Sequence, residues 1–454
     1  MSASPSSMTS LQSPPTYLQT SPDELPAYGQ LLEPSQATSG NPLADPNPKE
    51  YTFDIRNYWS KPSATLTILA HSKLSVSAPV FVAGSAISGS FKLFARSPDP
   101  VKAITLQIRG DLCTSGEPVQ RSNFLNVKRV LWDPSMGDPS APGPGAGGPE
   151  WDKKLKGDYE WQFAIPTQEL VVAGAEEGQQ PYRMPHTFKE RFSRAAIDYY
   201  LVLLIERKGK FQSNDRIVAH FNYFTTNRPA RPSPRRELAY RNGTTAPGPF
   251  EDPDGWRALD PVEFRGTLFG ERAIAVKCSV YIAKPFTYTR STAIPCAMTI
   301  ETADRQAADV FASIKSSGVH LQRCVRCTYE VSSSEVEALG QVVWSPAPVA
   351  ADESVSVTGG NHVRHLVGEI ALSKDLSPSG KIRYFSLEYA IVITPPNAVA
   401  FKPDDSKPRG LFPVEIVTTF APGPRPRVSS PPAYPVPGSG GTGRFDRLDT
   451  VRIF

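Results

Sequence analysis

Side chains able to carry chemistry are sparse in this chain of 454 residues, which holds five cysteines and six histidines. Cys324-Val325-Arg326-Cys327 has the spacing of a thiol redox motif or half a zinc site. The run around it alternates, with Val319, Leu321, Val325, Cys327, Tyr329 and Val331 at every second position. In a strand, residues i and i+3 face opposite ways, so these two thiols are not expected to share a metal. No second CxxC is present. His362-Val363-Arg364-His365 offers two imidazoles but lacks the Glu and the helix of a zinc protease. Gly438-Ser439-Gly440-Gly441-Thr442-Gly443 matches GxGxxG. It follows no strand pattern and opens no helix, so nothing would aim its amides at a pyrophosphate. There is no GxSxG elbow and no P-loop, and no pair of carboxylates stands out. The expectation is a protein that is not an enzyme, with no catalytic residue, no metal and no cofactor.

The spacing that does carry chemistry belongs to proline and tyrosine. Pro14-Pro15-Thr16-Tyr17 and Pro431-Pro432-Ala433-Tyr434 are PPxY motifs, and Leu25-Pro26-Ala27-Tyr28 is the weaker LPxY variant. Adjacent prolines pre-set the polyproline II conformation and lower the ordering cost of binding. The rings fit an aromatic-lined groove of the WW type, and the tyrosine fills a neighbouring pocket. With 46 Pro and 16 Tyr in the chain, roughly 0.16 PPxY matches are expected by chance. Two are present, both in proline-rich tails. The WW contacts are therefore assigned to Pro14, Pro15, Tyr17, Pro431, Pro432 and Tyr434, with Leu25, Pro26 and Tyr28 weaker. Motifs at both ends allow avidity towards a multi-WW partner.

Composition bounds the elements that must present these motifs. Proline is about twice its usual share, at 46 residues, with 32 glycines; 39% of residues are hydrophobic. This predicts folded β-rich regions interleaved with segments that bury no core. The longest strongly apolar run, Leu201 to Ile205, is far short of a membrane span. No basic residue precedes Lys49 and no apolar h-region is present, so no secretory or transit peptide is expected. Few cysteines and no signal point to a reducing compartment, and the Asn242-Gly243-Thr244 sequon carries no weight there. A net charge of +4 gives no electrostatic case for nucleic acid. The expected protein is soluble and cytoplasmic.

Residues 1–60 are rich in Ser, Pro, Thr and Gln and are expected to be a disordered tail. Period-2 alternation marks 61–227, as in Ile104, Leu106, Ile108 and in Tyr159, Trp161, Phe163, Ile165. A Pro/Gly insertion at 133–150 is expected to be a mobile loop. Residues 228–261 form a Pro/Arg-rich linker with Arg228, Arg231, Arg235, Arg236 and Arg241. That cluster is a patch for an acidic or lipid partner or, more simply, a solvated linker. Alternation resumes over 262–421, with one short helix expected within Asp304–Lys315. Residues 422–454 form a second Pro/Gly/Ser-rich tail, expected to be disordered. It ends in Phe445, Leu448, Val451 and Phe454, a docking segment or, more simply, a frayed end. The fold class is all-β: two tandem antiparallel β-sandwiches between two tails.

This arrangement resembles the α-arrestins, the arrestin-related trafficking adaptors of fungi. Gly89-Ser90-Phe91-Lys92-Leu93 and Ile104-Thr105-Leu106-Gln107-Ile108-Arg109-Gly110 look like the early strand pair of an arrestin N-domain. Tyr159 to Pro166 resembles its aromatic-x-F-x-hydrophobic-P strand. Met184-Pro185-His186-Thr187-Phe188 followed by Ile197-Asp198-Tyr199-Tyr200-Leu201 resembles the family's LPxSF and IxYxL signature, with Met for Leu and Thr for Ser. Val319-His320-Leu321 before Arg323-Cys324-Val325-Arg326, and Leu387 to Ile393, look like C-domain strands. The match covers about 61–421.

The resemblance implies immunoglobulin-like, arrestin-type sandwiches and a non-catalytic adaptor. Its PPxY motifs would recruit a HECT ubiquitin ligase of the Nedd4/Rsp5 type. Its sandwiches would select cytoplasmic segments of plasma-membrane transporters or receptors, whose ubiquitylation and endocytosis follow. It would be cytoplasmic, recruited to plasma membrane or endosomes through cargo, without spanning the membrane. No phosphate-sensing core of the visual-arrestin kind maps onto the sequence. An arrestin-fold signalling or sorting scaffold, pH-sensing or retromer-like and independent of the PPxY tyrosines, is the alternative. Ser430, in Arg427-Val428-Ser429-Ser430-Pro431-Pro432, is a candidate phosphosite beside the second motif. Lys153, Lys154 and Lys156 beside the loop are candidate ubiquitin acceptors or acidic-cargo contacts, or simply solvated.

Overall fold

The computed structural model describes residues 47–426, apart from 57–59, 71–76, 115–119, 141–150, 168–182, 191–192, 210–212, 314–317, 330–331, 348–354, 359 and 399. Within them the chain is nearly all strand, with two short α-helices.

Two sheets come from the first half. Strands Lys49–Arg56, Pro62–Ala70, Ala86–Asp99 and Leu155–Pro166 form an antiparallel sheet in that order. The second sheet runs Val80–Val82, Asp215–Phe224, Ala195–Arg207, Val101–Thr114 and Gln120–Trp132, with Phe188–Lys189 added beside Ala195–Arg207. All pairs are antiparallel except Val80–Val82 with Asp215–Phe224. The alternation read from the sequence is the burial pattern observed. Ile104, Leu106 and Ile108 are buried together with Leu201, Leu203 and Leu66, Ile68, Phe91 of the facing sheet. Each such side chain contributes about 1.5–3 kcal/mol on burial, which fixes strand register.

The second half repeats the plan. An eight-stranded sheet has Arg272–Ala283, Ala293–Thr302 and Asn361–Ala371 at its centre. A six-stranded sheet runs Thr287–Thr289, Gly410–Val417, Phe385–Ile393, Val319–Cys327 and Ser333–Gln341, with Gly380–Ile382 added. The expected helix is present as Arg305–Phe311, capped by Asp304, whose carboxylate accepts from the Ala307 amide.

Part of the expected linker is folded. Pro234–Asn242 is an α-helix with Ser233 as N-cap and Gly243 in the left-handed conformation as C-cap. Arg228, Arg231, Arg235 and Arg241 are exposed as a solvated segment requires, but Arg236 is 2% exposed. Its guanidinium lies 4.8 Å from the Trp256 ring and donates to the Lys284 carbonyl at 2.9 Å. The Pro/Gly insertion is anchored at both ends: Trp132 Nε1 donates to the Gly137 carbonyl and the Trp151 amide to that of Pro134.

Candidate functional site

The predicted WW-binding residues Pro14, Pro15, Tyr17, Leu25, Pro26, Tyr28, Pro431, Pro432 and Tyr434 lie outside the described residues, as do Ser430 and the GxGxxG match. What the described residues assemble is a junction between the two halves, built by elements far apart in the chain.

Strand Val319–Cys327 buries one face, with Val319, Leu321, Val325 and Cys327 in the core. Arg323 occupies the same face, 4% exposed. An inward charge must find partners or cost several kcal/mol. Its partner arrives from the first half. The segment Met184–Glu190 crosses to the second half, where the Phe188 ring meets Phe385 at 5.3 Å. Glu190 then takes both prongs of the guanidinium, Nη1–Oε1 at 2.7 Å and Nη2–Oε2 at 2.9 Å. Glu337, on the neighbouring strand, adds a contact at 3.1 Å. Ser377 Oγ donates to Glu190 Oε1 at 3.2 Å, and the Tyr389 hydroxyl donates to the Ser377 carbonyl. Burial works against the Arg323 charge, but the bonds and charge of Glu190, with Tyr389 and Glu337, hold its pKa above the ordinary value. Burial raises the Tyr389 phenol well above its usual range.

Three further hydrogen bonds close the junction. Thr418 Oγ1 donates to the Thr225 carbonyl at 2.6 Å, and Thr419 Oγ1 to that of Asn227 at 2.6 Å. The Arg194 amide donates to Glu335 Oε1 at 2.7 Å. The arrestin-like segment Met184–Phe188 is itself locked: Tyr199 donates to the Pro185 carbonyl and Thr187 Oγ1 accepts from the Tyr223 amide, both at 2.8 Å.

Beside the ion pairs opens a cleft of about 570 Å³. It is lined by Met184 and Pro185 of the first half and by Cys324, Tyr389, Leu411 and Pro413 of the second. Cys324 lines this cleft whereas Cys327 lies in the core, so the two thiols face opposite ways as the strand period requires. Among the described residues, no three His, Cys, Asp or Glu side chains group as metal ligands would. His365 is engaged with Thr299, Nδ1 to Oγ1 at 3.1 Å. The junction holds two halves in one register and presents a lined groove.

Glu190, Arg323 and Ser377 escaped the sequence reading. One signal was present: a single arginine on an otherwise apolar face of an alternating strand has to be neutralised by something. Which residue does so is not written locally.

No family model matches the chain, and no curated protein matches it. The fold and junction therefore define the class by themselves: a nearly all-β protein of antiparallel sheets paired as sandwiches, its halves clamped by a buried arginine–glutamate pair. Among the described residues, no helix is long and apolar enough to cross a membrane.

Proposed function

We propose that this protein is a non-catalytic adaptor of the α-arrestin kind. Through Pro14, Pro15, Tyr17, Pro431, Pro432 and Tyr434 it recruits a WW-domain HECT ubiquitin ligase of the Nedd4/Rsp5 type. Its β-sandwiches engage cytoplasmic segments of plasma-membrane transporters or receptors, which are then ubiquitylated and internalised. The adaptor works from the cytoplasm and meets the membrane through its cargo.

The observation that carries this reading is the pair of PPxY motifs, one on each side of the strand-rich region. Both fall where composition favours an extended segment, which a WW groove has to capture. Two sites on one chain raise avidity for a multi-WW ligase through effective concentration.

The test is a pull-down of the full-length protein with the tandem WW domains of such a ligase. Wild type should bind, and the Tyr17→Ala/Tyr434→Ala double variant should not, with circular dichroism unchanged. Binding that survives the double substitution, or is absent from wild type, overturns the reading and favours the PPxY-independent scaffold.

A further inference from the structure

The cleft at the junction has an outer face of unusual make-up. Leu411 is 66% exposed and Val336 59% exposed, the first and fourth most exposed large apolar side chains among the described residues. Leu411 and Pro413 on one strand and Val336 on another, with two strands between them in the six-stranded sheet, thus give the cleft apolar side chains on both of its flanks. Charges of both signs border it: Arg183, Arg326 and Lys381 against Glu388 and Glu415. Arg326 and Glu388 satisfy one another at 3.1 Å, with both side chains about half exposed. Such a surface suits neither a phosphate, which the glutamates repel, nor a purely apolar ligand. It suits a short peptide that carries apolar residues between charges of both signs.

The chain supplies one. Arg444–Phe454 reads Arg-Phe-Asp-Arg-Leu-Asp-Thr-Val-Arg-Ile-Phe, with five apolar residues, three arginines and two aspartates after a Pro/Gly/Ser-rich stretch. We infer that Arg444–Phe454 docks in the cleft of its own chain, its apolar side chains on Val336, Leu411 and Pro413.

The path of the chain favours this occupant over others. The last strand among the described residues, Gly410–Val417, lines the cleft through Leu411, Pro413, Val414 and Glu415. Thr419 is bonded to Asn227, which also lines it. Pro426 follows Thr419 by seven residues, and 17 residues lie between Pro426 and Arg444. A Gly-rich coil of that length spans about 25 Å on average and about 60 Å when extended. The docking segment is thus tethered at an effective concentration on the order of 1 mM or above, so a weak contact suffices to populate it. Charge complements as well: the tail arginines Arg444, Arg447 and Arg452 can meet Glu415, while Asp446 and Asp449 can meet Lys381 and Arg183. The inference stands apart from the ligase reading, because the segment holds none of the WW-binding residues.

The test places the photo-cross-linker p-benzoylphenylalanine at Leu448 in the full-length chain and maps products by mass spectrometry. Docking predicts intramolecular cross-links to Ser333–Gln341 and Gly410–Val417. Leu411→Arg, and separately Val336→Arg, should reduce them about tenfold. Both positions are exposed, so the fold should survive, and an unchanged melting curve checks this. Amide exchange over the same two strands should speed up about threefold in Phe445→Asp/Val451→Asp. Cross-links that join two chains, fall elsewhere, or persist in both arginine variants overturn the inference. So does exchange that is indifferent to the tail substitutions.

Discussion

Arg323 and Glu190, 133 positions apart in the chain, meet as a two-pronged ion pair with both side chains no more than 10% exposed. One belongs to the core face of a strand in the second half, the other to the segment leaving Phe188–Lys189 in the first. The pair thus sits where the relative placement of the two halves is decided.

Removing one partner should cost more than removing both. Arg323→Ala leaves Glu190 buried beside Glu337, and Glu190→Ala leaves the guanidinium with one carboxylate. Each single change is expected to destabilise by about 3–5 kcal/mol, and Arg323→Met/Glu190→Leu by clearly less. Urea denaturation of the three variants checks the ordering. A double variant as unstable as the worse single one would show that the pair is not coupled in this way.

Acid should weaken the first half through Asp198. Burial pushes its pKa up, but the His220 bond and the Lys189 charge and bond outweigh that and hold it at about 2. Lys189 Nζ lies 2.7 Å from Oδ1. The folded value is below the unfolded one, so this stabilisation is present above about pH 4 and is lost as pH falls towards 2. It amounts to about 1–2 kcal/mol at neutral pH. Asp198→Asn should lower stability at pH 7 and flatten the acid limb of the stability–pH curve between pH 4 and 2.

Gly89 should not tolerate a side chain. A Cβ there would overlap the Thr67 carbonyl and come within 2.9 Å of the Phe163 ring. The strand pairs Gly89 with Ile68 on one side and Phe163 on the other, so the backbone cannot step aside. Gly89→Ala is expected to destabilise by about 3 kcal/mol, at the upper end for overpacking, measured by thermal or urea unfolding. Gly157→Ala, where the surroundings are open and φ is +124°, should show only the smaller backbone penalty.

Single tyrosine variants should reveal avidity. If a tandem-WW ligase engages both motifs at once, Tyr17→Ala and Tyr434→Ala should each weaken binding by about 10²-fold or more, and the double variant should abolish it. Titration calorimetry against the tandem and against one isolated WW domain distinguishes this from one dominant motif, for which one of the single variants would be silent.

Period-2 alternation is a local property, and it made the strands legible. Ile104, Leu106, Ile108, Leu201, Leu203 and Ile205 lie in the core as their spacing required, and the Asp304-capped helix lies inside its expected window. The PPxY motifs are equally local, since a WW groove reads a linear segment. The helix Pro234–Asn242 carried local stop and start signals in Ser233, Pro234 and Gly243 but no apolar stripe. What holds it is Arg236 on Trp256 and Lys284, a contact made only in the folded chain.

The junction belongs wholly to tertiary structure. The sequence marks Arg323 as an inward charge that needs a partner, but any of many carboxylates would satisfy that demand. The choice of Glu190 depends on strand order, on the sheet that Phe188–Lys189 joins, and on Thr418 and Thr419 tying the last strand to Thr225 and Asn227. Side-chain period is set by the backbone of one strand. Pairing across strands and halves is set by loop closure and packing, which no single stretch of residues encodes.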